Sequence, residues 1–324
     1  MPRPDRSATN ARDEFPSGTV VGDANMQATR PASVFTAPVV IALATVYVVW
    51  GSTYFAIRLT LASYPPFLQG GIRFVIAGSL LFGFLSLRGR PLPTLRQWRD
   101  GAIVGILLLA LGNGCVVFAE QYVSSSVAAI FIGAGPLAGA LWSGLFGVWP
   151  QRSQWIGIVV GFGGILVLAG GTQLASHQLG LLALSAAVVC WTLGSVLAQR
   201  KLSLAPGPMG FATEMLGGGA VMLIVGVARD EVPRFVAGLP PTPVATLALV
   251  YLVFVGSLVG FSAYMYLLSK VSSTIALSYA YVNPMIAVLL GVVFGGEVLS
   301  TREAVATAII VGSVILLTRE KPPG

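Results

Sequence analysis

An arginine sits deep in an apolar run. Residues 48–74 read VVWGSTYFAIRLTLASYPPFLQGGIRF, and Arg73 is followed by a further apolar stretch, FVIAGSLLFGFLSL. A charge near a bilayer centre costs about 2.5–3.5 kcal/mol on insertion scales, so it should face a water-filled cavity or a partner. A guanidinium at that depth can bind a carboxylate or phosphate through paired hydrogen bonds. It can equally hold carbonyls or acids between helices. Arg58, nearer the end of its run, is read as snorkelling to the surface. Glu214, in PMGFATEMLGGG, is the acid well inside an apolar run. A carboxyl so placed could carry a proton in coupled transport, and its structural alternative is an interhelical hydrogen bond.

Aromatic and amide groups form a second pattern. Trp50, Thr53 and Tyr54 are spaced i, i+3, i+4, with Ser52 between them, which puts the larger three on one helical face. Tyr279 and Asn283 are spaced i, i+4 just before Pro284, Asn113 lies between Gly112 and Gly114, and Trp191 and Tyr264 lie in other apolar runs. Rings can enclose an apolar or cationic solute while amides and hydroxyls orient it. They also form interfacial belts. The candidate substrate-facing set is Trp50, Ser52, Tyr54, Arg73, Asn113, Trp191, Tyr264, Tyr279 and Asn283, with Glu214 as the proton-coupling candidate. Pro136 and Pro284 interrupt apolar runs and remove helix hydrogen bonds, so they are read as hinges or kinks.

Other chemistries lack their residues. The lone His177 lies in a polar stretch, TQLASHQ, and no His/Cys cluster suits a metal. Cys115 and Cys190 lie inside apolar runs and read as packing residues. No GxxxxGK[ST] occurs, so ATP is not expected to drive the protein directly. No Ser/His/Asp or paired-carboxylate set occurs, so neither an enzyme nor a cofactor is expected. An intramembrane enzyme is the disfavoured alternative.

The elements that position these residues follow from composition. The chain of 324 residues is 55% hydrophobic and 10% charged, with mean hydropathy +0.84. Soluble domains are about a quarter charged. Apolar runs of about 20 residues without period-2 alternation read as transmembrane helices, not barrel strands. Ten spans are predicted, at 37–58, 66–87, 100–119, 125–147, 154–172, 180–198, 208–228, 244–268, 274–295 and 301–318. Residues 1–36, rich in Pro, Ser, Thr and Asp, read as a disordered cytoplasmic tail, and 319–324 as a short cytoplasmic one. Arg88, Arg90, Arg96, Arg99, Arg152, Arg200, Lys201, Lys270, Arg319 and Lys321 fall on the side of the N-terminus, against Arg229, Arg234 and Arg302 on the other. The positive-inside rule therefore puts both termini in the cytoplasm. The net charge of +7 is thus no nucleic-acid footprint.

The chain also repeats itself. VSSSVA (123–128) matches VSSTIA (271–276), and the same offset of 148 aligns Pro136 with Pro284 and GGILVL (163–168) with VGSVIL (311–316). Pro66 and Pro208 open similar spans, and Trp50 pairs with Trp191. Spans 1–5 and 6–10 are then two copies of one unit, and because five is odd, the second copy is inverted. The fold predicted is an all-α membrane protein of ten transmembrane helices in two inverted five-helix repeats, 37–172 and 173–318. Such repeats mark secondary transporters, with the substrate near the midplane between halves.

WGSTYFAIR, PPF…GIRF, the mid-helix Pro136 and Pro284, and GGE at 295–297 resemble the EamA family of the drug/metabolite transporter superfamily, most closely its bacterial inner-membrane exporters. The resemblance covers about 37–318. It implies a ten-helix exporter of small metabolites or drugs. One departure is that Glu297 falls opposite Trp149 in the first copy, where family members often carry Glu. The predicted activity is secondary export of small amphipathic metabolites, amino acids or drug-like compounds by alternating access. An uncoupled facilitator is the alternative. The expected setting is the bacterial inner membrane, with a small-molecule substrate and the lipid bilayer as partners. A monomer is the default and a homodimer the alternative.

Overall fold

The computed structural model of the chain describes residues 36–147, 149–150, 152–170, 177–271 and 278–318. The predicted terminal tails, and the second copy of the VSSSVA repeat beyond Val271, lie outside the described residues. Among the described residues all regular structure is helical: α1 Ala37–Thr60, α2 Pro66–Leu87, α3 Leu95–Ala119, α4 Ser125–Leu145, α5 Arg152–Ala169, α6 Gln178–Arg200, α7 Pro208–Ala228, the short α8 Glu231–Ala237, α9 over 243–270, α10 Tyr279–Gly295 and α11 Thr301–Thr318.

Local sequence explains where the helices start. Proline occupies the first turn of α2, α7 and α9, where its missing N–H costs nothing. Thr94 caps α3 in a reciprocal capping box with Gln97. That box starts α3 at Leu95, five residues before the span predicted from hydropathy, because capping depends on polar side chains that a hydropathy window scores as loop. Ser124 accepts from Val127 N at 3.2 Å and starts α4.

Among the described residues seven helices are long and apolar enough to cross a membrane: α1, α2, α3, α4, α6, α7 and the Pro243–Tyr264 part of α9. Two shorter apolar stretches, Gln154–Ala169 and Val282–Gly295, lie in α5 and α10. The helix α11 carries Arg302 and Glu303 in its first turn.

Two helices contain a π-helical segment. It is Ile106–Asn113 in α3 and Leu252–Val259 in α9. The segments are equally long and lie 146 residues apart, close to the repeat offset in the sequence. Packing partners exchange in the same way. The helix α1 packs on α9 and α10, and α6 packs on α3 and α4; α2 lies along α7, and α5 along α11. Glycine sets the closest crossing. A Cβ on Gly105 of α3 would overlap the Glu214 carbonyl oxygen, and one on Gly218 of α7 would overlap the Gly105 carbonyl oxygen. Only glycine lets two backbones meet this closely.

The two prolines act differently. The helix α4 is interrupted at Gly133 and Ala134, and Pro136 sits in the first turn of the helix that resumes at Gly135. Through Pro284, by contrast, α10 continues unbroken. The two sites touch, since a Cβ on Gly133 would come within 2.9 Å of Pro284 Cγ.

Alternating chain direction gives the bundle two ends. One, the basic end, carries Arg88, Arg90, Arg96, Arg99 and Lys201. The other, the far end, carries 61–65, 120–124, 229–242 and 296–300.

Candidate functional site

Trp50 is the hub of an aromatic group contributed by α1, α9 and α10. Its ring lies 4.8 Å from Tyr279 and perpendicular to it, 5.1 Å from Tyr264 and 5.3 Å from Phe261. Edge-to-face pairing of this kind adds about 0.5–1.5 kcal/mol per pair beyond area burial. Gly260, the residue after the second π segment, makes room for the indole: a Cβ there would lie 2.5 Å from Trp50 Nε1. The predicted Trp50, Tyr264 and Tyr279 therefore do meet. Asn283 is buried, and its amide, oriented to satisfy both groups, donates to Tyr47 O at 3.3 Å and Tyr279 O at 3.2 Å. The two bonds tie the start of α10 to α1. Tyr54, one turn beyond Trp50, packs instead against the core between α4 and α6. Ser52 exchanges a 2.6 Å hydrogen bond with the Tyr251 hydroxyl.

Arg73 is 3% exposed. Its Nε donates to Ser257 Oγ at 3.1 Å, its guanidinium lies 4.7 Å from the Phe74 ring centroid, and one terminal nitrogen, Nη1, is buried with no hydrogen-bond partner. The second π segment supplies the contact. Ser257 Oγ donates to Leu252 O, five residues back, so the wide turn both turns the hydroxyl and occupies the carbonyl. Among the described residues no carboxylate pairs with Arg73. The helix partner sought from the sequence is thus a serine, and one guanidinium nitrogen remains unspent. A buried donor without a partner costs about 1–3 kcal/mol, more when charged, which is the condition in which an anionic ligand gains most.

The first π segment repeats the arrangement with different residues. Trp191 of α6 lies against Gly112, where a Cβ would come within 3.1 Å of the indole. Next to it, Asn113 ends the π segment with its Oδ1 buried and unpartnered. Both tryptophans border one core cluster with Phe67, Phe211, Met215 and Met222. Glu214 of α7 lies beside this segment, as Arg73 of α2 lies beside the second one. It is 5% exposed, and among the described residues no hydrogen bond or ion pair holds its carboxyl.

The far end holds groups and partners that sequence reasoning missed. Arg58 was expected to snorkel. It is partly exposed, but it donates to Val123 O at 3.4 Å and lies 3.6 Å from Glu297 Oε1. Glu297 caps α4: Oε1 accepts from Ser125 N at 2.9 Å and Ser125 Oγ at 2.7 Å, and Oε2 accepts from Ser126 N at 3.1 Å and from Ser126 Oγ. Burial opposes its ionisation, but the hydroxyls and amides of Ser126 and Ser125 together outweigh burial and hold the carboxyl below its usual range. Glu231 does the same for α2, accepting from Phe67 N at 2.9 Å and Leu68 N at 2.8 Å. An anion at a helix N-terminus satisfies orphan amides and faces the positive end of the dipole. Trp149, the counterpart of Glu297, packs its indole on Gly144 and offers no such cap. Glu120, directly after α3, is buried with both carboxylate oxygens unpartnered. It lines an open cavity of about 520 Å³ together with Arg58, Tyr122, His177 and Glu297.

Some of these were findable. Glu120 stands one residue past an apolar run, in FAEQYVSSS, a place that reads as the start of a loop. Ser257 and Tyr251 lie in an apolar run with no pattern to mark them.

Comparison with known proteins fits this arrangement. The chain is 42% identical over 281 residues to YedA of Escherichia coli strain K12, described as an uncharacterized inner membrane transporter, covering 86% of this chain and 90% of that one. It is 26% identical to PecM of Dickeya dadantii over 83% of this chain and 88% of that protein. A solved crystal structure shares the fold, with TM-score 0.61 at 23% identity, covering 86% of this chain and 96% of that chain. The model of the EamA-like transporter family matches residues 37–170 and again 178–319. The chain is a member of the EamA-like transporter family.

Proposed function

We propose that the protein is a secondary transporter that exports small amphipathic solutes by alternating access, from a site between two inverted five-helix repeats, 37–172 and 173–318. One observation carries this reading. Each half places a tryptophan on the end of the other half's π segment, Trp50 on Gly260 and Trp191 on Gly112. Reciprocal packing of this kind is what an inverted repeat produces, and π segments recur at functional sites because they aim side chains out of register. The family model matching the chain twice supports the same division. The ten-span count includes α5, α10 and α11, which lean on their neighbours rather than on length alone.

In this reading Trp50, Tyr264 and Tyr279 form the apolar wall, Asn113 and Asn283 orient polar atoms, and Ser52 and Tyr54 line the path from α1. Arg73 offers its unpartnered nitrogen to an anionic group on the solute. Glu214 carries the coupling proton, and Pro136 and Pro284 serve as hinges for α4 and α10, which meet where Gly133 packs on Pro284. The two tails are cytoplasmic and the membrane is the bacterial inner one, as for the relative YedA by its name. The test is uptake or efflux in liposomes holding the purified chain, with a panel of amino acids and drug-like compounds, with and without a proton gradient. Transport of none of them under either condition would overturn the proposal. Gradient-independent flux that Glu214→Gln leaves intact would favour the uncoupled facilitator.

A further inference from the structure

The far-end cavity has an unbalanced charge. Three ionisable side chains of opposite sign meet there: Arg58 from α1, Glu297 after α10, and Glu120 after α3, with His177 before α6 at the rim. Arg58 and Glu297 are 3.6 Å apart and compensate each other. Glu297 is also saturated, with two backbone amides and two hydroxyls on its oxygens. Glu120 has no such help. It is 4% exposed, and among the described residues neither oxygen has a hydrogen-bond partner. A lone ionised carboxylate in such a place is costly, and chains that keep one supply a proton or a cation.

The surroundings favour a ligand. Glu120 lines a cavity of about 520 Å³, far more than one water needs. Tyr122 stands beside it, its ring 5.3 Å from Phe118 and 6.2 Å from His177, so an aromatic wall lies next to the carboxylate. That pairing suits an ammonium group, which takes hydrogen bonds to the carboxylate and an aromatic face for the rest.

We propose that the far-end cavity is a binding site for the ammonium group of a small organic amine, held by Glu120 against Tyr122, on the path between the central site and the far-end surface. This deepens the transport reading and rests on it for the word path; the binding itself does not. The site takes one positive charge, after which the cluster of Arg58, Glu297, Glu120 and ligand is neutral. Sodium or potassium would meet the same charge requirement without the aromatic contact. Burial first, and then the charge of Glu297 against the relief from Arg58, pushes the Glu120 carboxyl well above its ordinary range, so protons compete for it.

The test is thermal unfolding of the full-length protein in detergent at pH 8, titrated with ethylammonium chloride, with sodium chloride and with n-propanol as the neutral match in size. A saturable rise in Tm with ethylammonium, absent with propanol, is expected. Glu120→Gln should weaken the apparent affinity at least tenfold, while Arg88→Gln, exposed at the basic end, should not change it. An equal rise with sodium chloride, also lost in Glu120→Gln, would identify an inorganic cation as the source of the charge. Should Glu120→Gln fail to fold, Glu120→Asp replaces it and should bind weakly but saturably. An amine response identical in the Glu120 variant and the wild type, or no saturable response to any cation, would overturn the inference. Failed transport in liposomes with this binding intact would count against the transport reading alone, and transport without this binding against the inference alone.

Discussion

Glu297→Ala tests how the far end is held. The carboxylate receives two backbone amides from the first turn of α4 and two serine hydroxyls, and stands 3.6 Å from Arg58. The hydroxyls can rotate to other acceptors, but the amides of Ser125 and Ser126 cannot. Each stranded amide costs about 1–3 kcal/mol, and loss of the anion from the helix terminus adds about 0.3–1 kcal/mol. Arg58 is 41% exposed at its side chain, so its pair with Glu297 is worth about 0–1 kcal/mol. The amides therefore dominate, and Glu297→Ala should cost about 3–5 kcal/mol, in the range seen when a buried charged partner is removed. Glu297→Gln keeps one acceptor and should cost about half as much. Arg58→Gln should cost less than about 1 kcal/mol. Thermal unfolding of the three variants in one detergent ranks them. If Arg58→Gln lowers Tm as much as Glu297→Ala, the ion pair and not the helix cap holds the end, and the reasoning fails. The pH dependence adds a sign. The folded carboxyl is held below its ordinary range, so its contribution is present above the ordinary carboxylate pKa of about 4.3 and is lost as pH falls through the depressed value. The acid-side fall in Tm should shrink in Glu297→Gln.

Glu120 should show the opposite sign. Its folded carboxyl is held above the ordinary range, so ionising it at higher pH destabilises the fold, and Glu120→Gln should gain stability over the wild type as pH rises from 4 to 8, read as the difference in Tm without amine present. Gly105→Val should fail to reach wild-type expression or lose several degrees in Tm, because its Cβ would occupy the space of the Glu214 carbonyl and overpacking costs about 1–3 kcal/mol or more. Arg73→Met should keep the fold, since it removes an unpartnered donor and only one hydrogen bond, and should abolish transport of carboxylate-bearing solutes in liposomes; unchanged transport would make Arg73 structural. Trp50→Leu should lower Tm by loss of its three ring contacts and reduce transport of apolar solutes more than of polar ones.

The sequence carried the helices and much of the site. Hydropathy located the long spans within a few residues, and the pairing of Trp50 with Trp191 anticipated that each packs on a π segment of the other half. It did not carry the partners. Arg73 was legible as a buried charge, yet Ser257 lies 184 residues away in VFVGSLVG, and only the π turn at Leu252–Val259 brings its hydroxyl to the guanidinium. A π segment adds a residue to the turn without altering composition, so hydropathy is blind to it. Arg58 reaches the surface as its position suggested, 41% exposed at its side chain, but the carboxylate that meets it comes from Glu297, after α10, and was not legible. Charges at helix ends are read from sequence as surface, although two of the far-end acids are helix caps inside the structure.

These caps also break the symmetry that the repeat would impose. Two identical inverted halves would close the basic end and the far end with equal strength. Here the far end is held by carboxylates from the second half on first-half helices, Glu231 on α2 and Glu297 on α4. At the basic end, the position matching Glu297 is Trp149, packed on Gly144 of its own segment. Asp100 does accept from Ser203 N at 2.8 Å there, but that amide belongs to the link after α6 and not to a helix N-terminus. On the alternating-access reading, opening the far end would strip charge-assisted bonds from two helix termini, whereas the Trp149–Gly144 contact lies within one segment and would survive opening of the basic end. Charged caps strand their donors when broken, so on that reading the Trp at the position matching Glu297 should bias the protein toward the conformation with its far end closed.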